Sequence, residues 1–206
     1  SGPGFGGSCF KKDILNLVYL SEYFGLKEVA DFWNGVVELN NWHQHRISQL
    51  IVKKLFGTVS GKRISILGFA FKSNTNDTRE SASITICKDL LDEGAILNIH
   101  DPKVKPYQIG IDLGIQNQNV SLNSNVNKSK REDGSWAFSN IINESLIGTD
   151  AVVVLTEWEE YRKINWEEAA SLMRSPAWVF DARSITNRTK IKALGLNLWR
   201  IGDGLT

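Results

Sequence analysis

The stretch Gly4–Asp13 reads GFGGSCFKKD and crowds three glycines, a cysteine, two lysines and an aspartate into ten residues. A phosphate-binding loop is the obvious reading of the glycines, and the spacing rejects it. No Gly-Lys-Ser/Thr follows, the sixth place of a G-x-G-x-x-G is Cys9, and no strand precedes the run. The glycines end where a helical pattern begins, so Cys9 falls at a helix N-terminus, where free N–H groups and the helix dipole suit an anionic sulfur. Such a sulfur attacks carbonyl carbon. Lys12 adds positive charge on the same helical face, and Asp13 can handle a water or a proton nearby. A plain glycine turn feeding a helix with one structural cysteine is the competing reading, and these residues alone leave both open. Cys87 sits inside an apolar helical pattern and reads as packing. His43 and His45 are two apart on a helix and point in different directions, so no metal site is expected.

The elements that must carry this loop follow from periodicity. Phe10 to Phe24 repeats at helical spacing and stops at Gly25, and a second helical run from Lys27 to Phe56 ends at Gly57. A helix of about 30 residues spans roughly 45 Å, so it is expected to link domains or to meet a second copy of itself. From Arg63 the period changes. Short apolar strands at 63–68, 96–100, 151–155, 177–180 and 196–201 alternate with helical stretches at 83–93, 166–173 and 189–194. That alternation predicts an α/β fold with a doubly wound parallel sheet. The polar stretch from Lys103 to Ser135 is expected to hold a strand near Val120–Leu122 and an exposed loop around 128–134. Gly68-Phe69-Ala70-Phe71 has one fingerprint glycine of three, yet it stands at a strand's carboxyl edge, where such folds bind ligands. Asp101 is expected to cap a turn with Pro102, and Trp158, Trp166, Trp178 and Trp199 to pack in the core or its rim. The 206 residues carry a formal net charge of +1, which argues against a nucleic-acid binder. No apolar run is long enough for a membrane span. Two cysteines without framework spacing fit a reduced, cytoplasmic setting.

Two segments carry a resemblance. GFGGSCFKKD is similar to the active-site segment of the UDP-glucose dehydrogenases, within the nucleotide-sugar dehydrogenase superfamily. GFAFKSNTNDTRES, residues 68–81, resembles the first loop of that family's C-terminal domain, and DPKV from Asp101 and TEW from Thr156 fall where the family has similar words. TNDTRES is closer to the UDP-glucose branch than to the GDP-mannose or UDP-N-acetylmannosamine branches, where a leucine is expected before the arginine. The match covers essentially the whole chain and is weakest after Lys105. It implies a central helical dimerisation segment over 1–57 and a Rossmann-like UDP-sugar-binding domain over 58–206. It also implies NAD as cofactor, UDP-glucose as substrate, and a homodimer or higher homo-oligomer. The implied chemistry oxidises the C6 alcohol in two NAD-dependent steps through a thiohemiacetal and a thioester on Cys9. Asp13 matches the aspartate of the water-dependent steps, and Lys12 the lysine near cofactor and intermediate. Gly4, Phe5, Gly6, Phe71 and Lys72 match positions along the sugar nucleotide. Arg79 matches a cofactor-contacting arginine, and Cys9 also lies against the cofactor.

Two departures stand out. Some family members have paired arginines after an Asp-Gly, the second binding substrate. Here Asp181-Ala182-Arg183-Ser184 keeps only the first, which leaves the substrate-binding role of Arg183 in question. The family's dinucleotide-binding domain and its central lysine and asparagine have no counterpart in these residues, so the chain is expected to be the C-terminal part of a longer enzyme, inactive alone. The alternatives are a non-catalytic nucleotide-sugar-binding and dimerisation module, or a relative acting on another nucleotide sugar. A cysteine hydrolase would need a His base near Cys9, and no signal points to one.

Overall fold

The computed structural model describes residues 2–115 and 134–204. Two helices open the chain, α1 (Phe10–Tyr23) and α2 (Lys27–Lys54). The rest alternates: β1 (Arg63–Leu67), α3 (Ala82–Asp92), β2 (Ile96–His100), α4 (Pro106–Leu113), β3 (Ser135–Phe138), α5 (Ile142–Leu146), β4 (Ala151–Val154), α6 (Glu159–Arg162), α7 (Trp166–Leu172), β5 (Trp178–Asp181), α8 (Arg188–Ala193) and β6 (Asn197–Arg200). The six strands form one parallel sheet in the order β3-β2-β1-β4-β5-β6. Strand order reverses between β1 and β4, which opens a crevice at their carboxyl ends.

The α/β expectation holds. The central strands are buried on both faces, and their continuous apolar runs say so: Ile64, Ile66, Leu67, Val152, Val153, Val154, Val179 and Phe180 are fully buried. Each such side chain contributes about 1.5–3 kcal/mol relative to exposure. α3 lays Ile86, Cys87 and Leu90 on the same core, and its N-cap Ser81 accepts from the Ser83 N–H.

α2 leads two lives. Its C-terminal half puts Ile47 and Ile51 into the core of the sheet, through α3. Its N-terminal half packs against α1, and the pair presents Phe32, Leu39, Trp42, Leu20, Tyr23 and Phe24 outward. No helix among the described residues is long and apolar enough to cross a membrane.

Besides the one-turn helix α6 (Glu159–Arg162), the structure adds three elements within polar sequence. β3 is a short edge strand with only Trp136 buried, so its pattern is faint. α4 begins with Pro106 at its first position, where a missing N–H costs nothing. α5 is a single turn and a half. The strand expected near Val120–Leu122 and the loop at 128–133 lie outside the described residues.

Candidate active site at the carboxyl edge of the sheet

The glycine loop is clamped from two sides. On one side α2 presents Asn40, whose Oδ1 accepts from the Phe5 N–H at 2.8 Å and whose Nδ2 donates to the Phe5 carbonyl at 3.1 Å. On the other side lies the segment joining β1 to α3. The Gly7 N–H donates to the Arg79 carbonyl at 2.9 Å, and a Cβ at Gly6 would run into the Glu80 carbonyl oxygen. The approach is possible only because residue 6 has no side chain. Lys11 reaches Glu80 at 2.7 Å and ties α1 to the same segment. Cys9 is the residue before the first turn of α1, and its thiol is exposed at that junction. Asp13 and Lys12 follow it, both exposed, with Asp13 one helical turn on from Cys9.

The β1–α3 segment is shaped by an aspartate at the end of β2. Asp101 is buried and accepts five hydrogen bonds: from the N–H groups of Phe69 (2.8 Å), Ala70 (3.0 Å), Lys103 (2.9 Å) and Val104 (2.9 Å), and from Trp158 Nε1 (3.3 Å). The expected cap on the Pro102 turn is there, and it reaches further than expected. The Phe69 and Ala70 N–H groups belong to the turn that cradles pyrophosphate in a dinucleotide fold. Here a carboxylate already fills that place, so this turn does not fit a dinucleotide phosphate.

Beyond the turn, Phe71 packs its ring against Gly7, and Lys72 extends into solvent with Nζ 5.3 Å from that ring. Arg183, just past the carboxyl end of β5, sends its guanidinium back to this point: Nε donates to the Leu155 carbonyl at 2.7 Å and Nη2 to the Phe71 carbonyl at 3.0 Å. Its backbone N–H is held by Asp181 at 2.9 Å. Burial pushes the Arg183 pKa down, opposed by the Glu157 charge. Arg183 therefore braces the Phe71 loop, with two of its donors already engaged. Arg79 is exposed and grips Asp77 through Nε (2.9 Å) and Nη2 (2.7 Å). Those hydrogen bonds hold the Asp77 carboxyl below the usual carboxylate range and raise the Arg79 pKa, to which the nearby Cys9 charge also contributes.

A cavity of about 550 Å³ opens beside Ser73, Asn74 and Pro102, and carries both acidic (Glu157, Glu159, Glu160) and basic (Arg162, Lys163) side chains. Lys11 and Lys12 stand on α1 just after the cysteine loop, and Lys72 and Arg79 on the β1–α3 segment that meets it. The structure thus brings Gly4, Phe5, Gly6, Cys9, Phe71, Arg79 and Arg183 into one neighbourhood built from segments about sixty residues and more apart. Sequence reasoning missed Asn40, Lys11, Glu80 and the extent of Asp101's grip. One signal could have found Asn40: it and Gln44 are polar residues on the buried stripe of α2 that runs through Val37, Ile47 and Ile51.

The glycine-rich cysteine loop and the β1–α3 segment thus meet in one candidate site at the carboxyl edge of a doubly wound sheet. The comparisons with known proteins name the class. Residues 65–188 match the UDP binding domain of the UDP-glucose/GDP-mannose dehydrogenase family, and residues 1–42 match that family's central domain. The chain belongs to this family. It is 44% identical over 201 residues to the UDP-glucose 6-dehydrogenase of Drosophila melanogaster, an alignment that covers 97% of this chain and 40% of that protein. The bovine UDP-glucose 6-dehydrogenase is 42% identical, with 97% and 39% covered. A solved UDP-glucose dehydrogenase from Pyrobaculum islandicum superposes with a TM-score of 0.70 at 26% identity, covering 97% of this chain and 38% of that one. The chain thus spans about two-fifths of the length of the relatives it matches.

Proposed function

We propose that this chain supplies the covalent-capture and uridine diphosphate half of an enzyme that oxidises UDP-glucose to UDP-glucuronate in two NAD-dependent steps. What carries the reading is the assembly of two distant family segments, residues 4–13 and 68–81, into one contact that leaves the Cys9 thiol exposed.

In this reading the Cys9 sulfur adds to the aldehyde carbon at C6 as the C=O π bond opens, and the thiol proton passes to the aldehyde oxygen to give a thiohemiacetal. NAD, when bound, accepts a hydride at each oxidation. Once the second has left, the carbon is held to Cys9 as a thioester, and water adds as the carbon–sulfur bond breaks to give the carboxylate. Asp13, a turn along α1, directs that water, and Lys12 offsets the oxyanion's charge. Gly4, Phe5 and Gly6 line the sugar nucleotide, Lys72 meets phosphate or sugar hydroxyls, and Arg183 holds the Phe71–Lys72 loop for them. Arg79, exposed near Cys9, is the described residue that fits a cofactor phosphate, after exchange from Asp77. The division at 57/58, the homodimer through α2 and a reduced cytoplasmic setting for the two free thiols belong to the same proposal.

Calorimetry with UDP tests the binding half: weak binding is expected, lost in Lys72→Glu. An assay of nicotinamide reduction with UDP-glucose tests the rest, with no turnover expected from these 206 residues, since positioning the cofactor accounts for on the order of 7–11 kcal/mol of such a barrier. Turnover by this chain would break the division of labour, and no UDP binding at millimolar ligand would remove the nucleotide role.

A further inference from the structure

The cysteine loop rests on a side chain that carries no chemistry of its own. Asn40 is nearly buried, and among the described residues it is the one side chain that hydrogen-bonds the main chain of residues 4–7. A carboxamide offers an acceptor and a donor side by side, the same pair a neighbouring strand would offer. Both are used on Phe5, so one residue of an irregular loop is held as though in a sheet. The fit is close. Gly4 takes φ +122°, and a Cβ there would lie 2.7 Å from Asn40 Oδ1. Phe5, so held, turns its ring edge onto Phe10 at 4.7 Å between centroids, and Phe10 is the first residue of α1 after Cys9. One turn further along α2, His43 Nε2 meets the Gly2 carbonyl at 3.0 Å, and Gln44 Oε1 accepts from Thr85 on α3 at 2.8 Å. The face of α2 that supports the loop is therefore anchored to α3 behind it.

We propose that Asn40 is a positioning residue for Cys9: it fixes Phe5, and through Phe5 and Phe10 it sets where the thiol stands against the β1–α3 segment. Without it, among the described residues, the main chain of residues 4–7 keeps the Gly7–Arg79 hydrogen bond but no hydrogen bond to α2. The proposal rests on the reading of Cys9 as nucleophile for its purpose, but its test does not use turnover. No UDP binding at millimolar ligand, with the exchange result intact, would break the proposed function alone.

The test is amide hydrogen exchange of the 206-residue chain, comparing the peptide over residues 4–9 with one over β4 in wild type, Asn40→Asp and Asn40→Ser. Asn40→Asp keeps the acceptor for the Phe5 N–H and sets a carboxylate oxygen against the Phe5 carbonyl. Protonation restores a donor there. Loop protection should fall about tenfold in both variants while β4 is unchanged, and should return in Asn40→Asp, but not in Asn40→Ser, as the introduced carboxyl is protonated. Loop protection equal to wild type in both variants would overturn the proposal. So would loss of protection by the same factor in loop and β4, which would assign Asn40 to the fold as a whole. Absence of the acid rescue would overturn the donor role on which it depends.

Discussion

The Asp101 carboxylate accepts the Phe69 N–H at 2.8 Å, so the end of β2 dictates the path of the chain leaving β1. Four backbone N–H groups and one indole share that carboxylate. Asp101→Ala leaves buried donors unpaired, and we expect about 3 kcal/mol of lost stability, read by urea unfolding. Asp101→Asn keeps the shape but turns part of the acceptor surface into donor, and should be intermediate. A loss below about 1 kcal/mol in Asp101→Ala would mean that water replaces the carboxylate without penalty.

His100, the residue before it, points to a pH dependence. Tyr161 Oη donates to the His100 carbonyl at 3.0 Å, so its oxygen accepts from His100 Nδ1–H at 2.9 Å. Burial lowers the His100 pKa from its ordinary 6.5, opposed by the Asp101 charge. The unfolded chain takes up a proton on this residue before the folded chain does. The contribution is thus fully present above pH 6.5 and declines as pH falls below it, down to the folded pKa. Thermal melts between about pH 7.5 and about pH 5.5 should show wild type losing more than His100→Asn. Parallel curves would clear His100 of the effect.

Cys9 and Cys87 should separate cleanly toward iodoacetamide. Cys9 is exposed, whereas Cys87 is fully buried and burial, with Asp89 nearby, pushes its thiol pKa up. Peptide mass analysis should find label on Cys9 alone under native conditions, and on both after denaturation. Native labelling of Cys87 at a comparable rate would contradict the packing of α3.

The outward face of α1 and α2 leaves Phe32, Leu39 and Trp42 more than half exposed, more apolar surface than isolated exposed residues account for. Light scattering at micromolar concentration should report twice the chain mass, and a Phe32→Glu, Trp42→Glu double variant should return it to one. A clean wild-type monomer across a dilution series would assign that face to another partner.

The sheet was legible where burial imposes continuous apolar runs, as in Ala151–Val154 and Ile64–Leu67. It was not legible at β3, because an edge strand with one buried Trp136 lacks a second wall to impose a pattern. The cysteine loop could be singled out because its unusual residue types and its family resemblance lie within ten consecutive residues. Its supports could not, because Asn40 and Glu80 act across 35 and 69 residues of chain, on Phe5 and Lys11 respectively. Lys12 drew attention by its place in the motif, while the ionic contact of the loop is made by its neighbour Lys11.

Phe71 and Glu80 occupy the room beside Gly6 and Gly7, which makes the two segments a mould and its cast, encoded far apart. A mutagenesis library that randomises either segment alone will return mostly chains whose halves no longer close. Trading bulk between position 71 and positions 6 or 7 within one library searches the combinations that still fit. Any redesign of this contact should begin with that exchange.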